Sequence, residues 1–302
     1  MPVTGLAITH QLDGLVTDSA ASATALATGS KTENGRIGML PDGTKLRTVF
    51  ELARSIGKST GLVTTDSITG ATPAGFVAHV PSRGQEEDIA AQMLSSRTEV
   101  LFGGGRRQFL PADGGGNRAD GRNLVDEAKK RGYATAMDVA QFDAAQGPRL
   151  LGLFADGSMS DPAGPSLTQM TMKAIAALGR NKHGYILMSE QAFTDKYGHA
   201  NNAAGVVNAL WELDRAIRAA MELAAKNKDT LILVTADHDC GGMAIKGEAD
   251  GELKFEPGWV SGGHTGIMVS IYAFGPGAEL FTGTHDNTDI PKLIARLWGK
   301  GL

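Results

Sequence analysis

The sequence predicts an α/β fold in three layers, with a largely parallel, mixed sheet held between two layers of helices. Short continuous apolar runs, among them "GLVTT", "YILMSE" and "LILVTAD", alternate with longer stretches of helical periodicity. That alternation marks strands buried on both faces and joined by helical crossovers. A second observation agrees. Glu190 closes one apolar run and the pair Asp237, His238 closes another, and ligands in open α/β sheets bind beyond the carboxyl ends of the strands.

Each element follows from its own pattern. In "GLVTDSAASATALATGSKT" a helix is closed by Gly29, with Asp18 or Ser19 as its N-cap and alanines that let it lie close to a neighbour. Amphipathic periodicity gives helices over 46–56, 87–94, 124–131, Leu167–Leu178, 203–225 and 290–298. The apolar runs between them give strands over 61–65, 99–104, 150–155, Tyr185–Glu190 and 231–237, with another in "IMVSIYAFG". The 40 glycines cluster in irregular stretches at 104–123, 155–166 and 239–263, which read as loops or insertions within a single domain spanning 1–302.

Composition excludes several functions. With 302 residues, 42% hydrophobic and 21% charged, the chain can bury a large core. A net charge of −4 gives no general attraction to nucleic acid or to an anionic membrane. No apolar stretch approaches the roughly 20 residues of a membrane span. The first twenty residues lack the basic start and apolar core of an export signal. Cys240 is the single cysteine, so an intrachain disulfide is impossible.

The polar residues fall in a pattern that suits metal chemistry. After Glu190 comes "QAFTDKYGHANN", in which Asp195 and His199 are four apart and share one helical face. His264 sits in a glycine-flanked loop, where backbone can approach a ligand closely. Three imidazoles and three carboxylates brought to one sheet edge match the nitrogen and oxygen ligands of zinc and the oxygen ligands of magnesium. Coordination to a divalent cation is one way to activate a serine such as Ser19. Thr72 offers a hydroxyl to a magnesium shell, and the planar fork of Arg83 suits two phosphate oxygens. His10, His79, His183 and His285 lack acidic company at strand ends and read as surface or core residues.

The sequence resembles the alkaline phosphatase family along essentially its whole length. "VTDSAASATALATGSKT" is similar to the family's nucleophile signature, and "LFGGG", "ATPAGFVAHVPSR", "GLFADGSM", "SEQAFTDKYGH", "LVTADH" and "GGHTG" stand among the matching segments. The resemblance implies an alkaline-phosphatase-like sandwich that hydrolyses phosphate monoesters through a phosphoserine on Ser19, with Arg83 clamping the phosphate. It implies two zinc ions, one held by Asp195, His199 and His264 and the other by Asp237 and His238 beside Ser19, and one magnesium held by Glu190 and Thr72. Lys196 fits the bacterial branch, in which a lysine reaches phosphate through water. The substrates implied are small phosphate monoesters, with no nucleic-acid specificity, and the resemblance further implies a homodimer and export to the periplasm or medium.

Three departures stand beside the resemblance. Nothing upstream of "MPVTGLAITH" supplies the family's buried strand ending in Gly-Asp-Gly, whose aspartate bridges zinc and magnesium, so the chain is expected to be truncated at its N-terminus; Asp156 belongs to a later segment. Gly70 stands where many relatives carry an acid or histidine, and Cys240 where some have a histidine supporting a zinc-binding aspartate. The competing expectation is therefore an impaired relative that binds metal or phosphate weakly.

Overall fold

The computed structural model describes residues 1–159 and 164–302. Part of the loop expected at 155–166 thus lies outside the described residues. Five strands form an all-parallel sheet in the order Ala134–Ala136, Leu150–Leu153, Val100–Gly104, Ser59–Ser67, Tyr185–Glu190. Alternation along these strands builds two cores. Leu62, Leu101 and Leu151 face one side, where they meet Phe50 of the helix Val49–Ser55 and Ile89 and Met93 of the helix Glu86–Ser95. Val63, Val100, Phe102 and Leu150 face the other side and meet Met170 and Ala174 of the helix Leu167–Leu178 and Ala216 of Ala203–Asn227. This is the three-layer arrangement expected, and the continuous apolar runs exist because both faces of each strand are covered.

A second sheet of four strands runs in the order Gly283–Asp286, Val3–Ile8, Val269–Phe274, Ile232–Val234. It is mixed: Val3–Ile8 is parallel to Gly283–Asp286 and antiparallel to Val269–Phe274. Tyr185–Glu190 is an edge of the first sheet and Ile232–Val234 an edge of the second, and both are half-buried along their lengths. The strand expected over 231–237 is shorter than its apolar run, because its pairing ends at Val234, opposite Tyr272. The expected loop at 239–263 contains an exposed antiparallel hairpin, Ala244–Glu248 with Phe255–Gly258. Among the described residues, no helix is long and apolar enough to cross a membrane.

Candidate active site

Ser19 opens the helix Ser19–Thr28, and Asp18 is its N-cap. One oxygen of Asp18 accepts the Ala21 N–H at 2.9 Å; the other accepts the Gly35 N–H at 3.0 Å and the Arg83 guanidinium at 3.1 Å. The capping duty that the sequence left between Asp18 and Ser19 therefore falls to Asp18. Ser19 is free, and its Oγ lies 3.0 Å from His238 Nε2. The alanines bury the helix almost completely. A Cβ on Gly75, in the short helix Ala71–Gly75, would lie 2.8 Å from the Ala23 Cβ, so the two helices touch through their smallest residues. Ser22 adds a hydrogen bond from its Oγ to the Asp237 carbonyl at 2.6 Å, tying this helix to the segment after Ile232–Val234.

Asp195 and His199 lie on the helix Phe193–His199 and converge on His264. Asp195 Oδ1 is 3.5 Å from His199 Nε2 and 3.4 Å from His264 Nε2, and the two Nε2 atoms are 3.1 Å apart. Each ring meets a backbone carbonyl through its other nitrogen: His199 Nδ1 donates to Gly262 at 2.8 Å and His264 Nδ1 to Thr17 at 2.8 Å. A carbonyl only accepts, so the proton of each neutral ring sits on Nδ1 and both Nε2 atoms present bare lone pairs. Asp195 Oδ1 is buried and has no hydrogen-bond partner. Three acceptors facing one point with no donor among them fit a bound cation, and nitrogen with carboxylate oxygen is a donor set that zinc takes. Burial works to raise the Asp195 carboxyl; with protons rather than a cation on the His264, His238 and His199 rings, their charge outweighs burial and brings it to about 2.

A second set adjoins the first. The His238 ring stacks on His264 with centroids 3.5 Å apart. His238 Nε2 lies 3.1 Å from Asp237 Oδ2 as well as 3.0 Å from Ser19 Oγ, so carboxylate, imidazole and hydroxyl meet there. Burial opposes ionisation of both Asp237 and His238. Their mutual attraction prevails, lowering the aspartate and raising the histidine.

Glu190 lies beyond, accepting a hydrogen bond from Thr64 Oγ1 at 2.5 Å, with the Thr72 hydroxyl close by. Burial pushes its carboxyl up to about 7; the charges of Asp237 and Asp66 add to that, while the two threonine hydroxyls oppose it. An oxygen-only group of this kind suits magnesium. Lys196 does not stand free: its Nζ pairs with Asp66 Oδ2 at 3.1 Å. Asp66 is the residue that sequence reasoning missed. It also accepts from the Ser158 hydroxyl, and a side chain built at Gly70 would point to within 3.7 Å of its carboxylate. Asp66 thus fills with a carboxylate the space beside Gly70, from a different place in the chain. Cys240 also reaches the Asp195 group. Its thiol donates to the Asp195 carbonyl at 3.4 Å, and burial with the nearby Asp195 charge pushes it up to about 12. Asp156 is elsewhere, paired with Arg106 at 2.6 Å and Arg107 at 3.4 Å.

The decisive comparison is with family models: the alkaline phosphatase model matches residues 1–255 and 251–299. The chain belongs to the alkaline phosphatase family. Alkaline phosphatase 4 of Bacillus subtilis (strain 168) is 33% identical over 99% of this chain and 80% of its own. The alkaline phosphatase of Escherichia coli (strain K12) is 34% identical over 91% of this chain and 72% of its own. Among solved structures, a variant of the TAB5 alkaline phosphatase, described with magnesium bound in its M3 site, superposes with a TM-score of 0.89 at 32% identity, covering 99% of this chain and 89% of that one. This alkaline phosphatase is accordingly a phosphoric monoester hydrolase by family and by fold.

Proposed function

We propose that this chain hydrolyses phosphate monoesters to alcohol and inorganic phosphate through a phosphoserine on Ser19. The observation that carries the reading is the freedom of Ser19: Asp18 takes over the cap, and the Ser19 hydroxyl points at Asp237 and His238. Asp195, His199 and His264 would hold one zinc, Asp237 and His238 a second, and Glu190 with Thr72 a magnesium. When bound, these cations lower the cost of the charge that develops on the attacking and departing oxygens. The chain's own residues do the rest. Arg83, anchored on Asp18, grips two phosphoryl oxygens. Ser19 Oγ forms a bond to phosphorus as the bond from phosphorus to the alcohol oxygen breaks, and the alcohol leaves with a proton. Water then adds to the phosphorus of phosphoserine, releasing phosphate and restoring the Ser19 hydroxyl. Lys196, held by Asp66, sits within reach of the phosphate through a water.

Ser19→Ala tests this. Turnover of a phosphate monoester is abolished while zinc content by elemental analysis is retained, and acid quench of the unaltered protein with substrate yields phosphoserine at position 19 by peptide mass spectrometry. An unchanged rate in the variant refutes the proposal. A homodimer belongs to the same reading. Leu6, Ile8 and Tyr272 are 37%, 39% and 42% exposed and share one face of the four-stranded sheet. Sedimentation that shows only monomer at all concentrations would remove that part.

A further inference from the structure

Beside Arg83 the surface opens into a cleft of about 350 Å³, at the small end of the range for small-molecule sites. Its lining carries donors, Arg107, Gln108 and Asn117, and acceptors, Asp66 and Glu86, together with Asp156, Gly157 and Ser158. Among the described residues, Ala71 is the one lining residue with an apolar side chain, and no aromatic or large aliphatic group reaches in.

The charges in this cleft are unevenly matched. Asp66 is neutralised by Lys196, and Asp156 by Arg106 and Arg107. Glu86 accepts only from hydroxyls, Thr69 at 2.6 Å and Ser67 at 3.4 Å, and no cation among the described residues is within ion-pair reach of it. Arg107 is 55% exposed and holds Asp156 only loosely. Its guanidinium keeps donors free.

We propose that this cleft receives the alcohol half of the ester and selects hydroxyl-rich phosphate monoesters, sugar and polyol phosphates, over aryl phosphates. This inference rests on the reading that Arg83 grips the phosphoryl group: a substrate held there extends its alcohol toward the cleft that Arg83 also lines. Hydroxyls on that alcohol find Glu86 as an acceptor and Arg107 and Asn117 as donors. An aryl ring finds no apolar wall, and it strips water from those polar groups without replacing the bonds.

Equilibrium binding separates this from the chemistry. On the Ser19→Ala protein supplied with zinc and magnesium, calorimetry compares glucose 6-phosphate with phenyl phosphate. Glucose 6-phosphate is expected to bind about tenfold or more tightly, the size of one well-made charge-assisted hydrogen bond. Adding Arg107→Ala or Glu86→Gln narrows that gap, weakening the sugar phosphate more than the aryl one. Equal affinity, a preference for phenyl phosphate, or binding of neither overturns the proposal, and that comparison needs no cleft variant to fold. If the unaltered enzyme turns over no monoester while the binding preference persists, hydrolysis is what fails and the cleft assignment stands.

Discussion

Asp18→Ala removes three hydrogen bonds at the mouth of the site: the helix cap to Ala21, the bond from Gly35 and the anchor of Arg83. Loss of a cap costs about 1 kcal/mol. The Gly35 N–H loses a carboxylate partner, worth on the order of 1–2 kcal/mol. The ion pair adds little to stability, below about 1 kcal/mol, because the Arg83 side chain is 45% exposed. The sum is about 2–3 kcal/mol, a fall in melting temperature of roughly 3–5 °C by scanning calorimetry for a chain of this size. Asp18→Asn keeps an oxygen for the Ala21 N–H and turns an amide toward Gly35 and Arg83, so it loses about 1 kcal/mol less. Both variants release Arg83, and the inhibition constant of inorganic phosphate rises about tenfold in both, the equivalent of about 1.4 kcal/mol. The reasoning is refuted if Asp18→Ala melts within about 1 °C of the parent, a shift below about 0.5 kcal/mol. Equal melting of the two variants refutes the capping role alone.

Three further outcomes follow from the same geometry. Glu190 titrates at about 7 when folded, against about 4.3 in an unfolded chain. The metal-free protein therefore loses stability as pH rises from about 4.3 toward 7, and Glu190→Gln flattens that slope in denaturant titrations; parallel slopes would remove the assignment. Gly75→Ala drives a methyl to 2.8 Å from the Ala23 Cβ, costing about 1–3 kcal/mol; Ala23→Gly added to it recovers part of the loss, and a neutral Gly75→Ala contradicts the contact. Chelation lowers both melting temperature and phosphatase rate, and added zinc restores both, by about 4 kcal/mol at a thousandfold excess over the dissociation constant; a melting curve indifferent to chelator would sink the cation assignment to Asp195, His199 and His264.

The layered fold was legible because its strands announce themselves. Leu62 and Val63, or Leu101 and Phe102, point to opposite cores, so each strand reads as an unbroken apolar run. Leu167–Leu178 and Tyr185–Glu190 keep the bounds their patterns suggest. Val3–Ile8 was not legible: Thr4, Leu6 and Ile8 are exposed, and Gly5 interrupts any propensity signal. The hairpin after Ala244 is exposed and rich in charge, so its sequence carries no burial pattern. At the site, Ser19 meets Asp237 and His238, and Asp195, His199 and His264 converge beside them, yet the partners of Lys196 and Arg83 were invisible. Asp66 follows the run "GLVTT" much as Glu190 ends "YILMSE". The same signal was there one residue past Thr65, but a surface pairing over a separation of 130 positions leaves no periodic trace.

The two sheets remain separate ladders, and each contributes one bare edge near the site. Glu190 ends the last strand of the first, and Asp237 follows the last strand of the second. Among the described residues no backbone hydrogen bond joins these two edges, so a cation held by Asp195 and His199, beyond the first sheet, and by His264, ahead of Val269–Phe274 in the second, would act as a rivet between halves of the molecule. Breathing along the seam, visible as early amide exchange in Tyr185–Glu190 and Ile232–Val234, would then subside on metal loading, and the enzyme's reactive centre would double as the joint that keeps its frame from shearing.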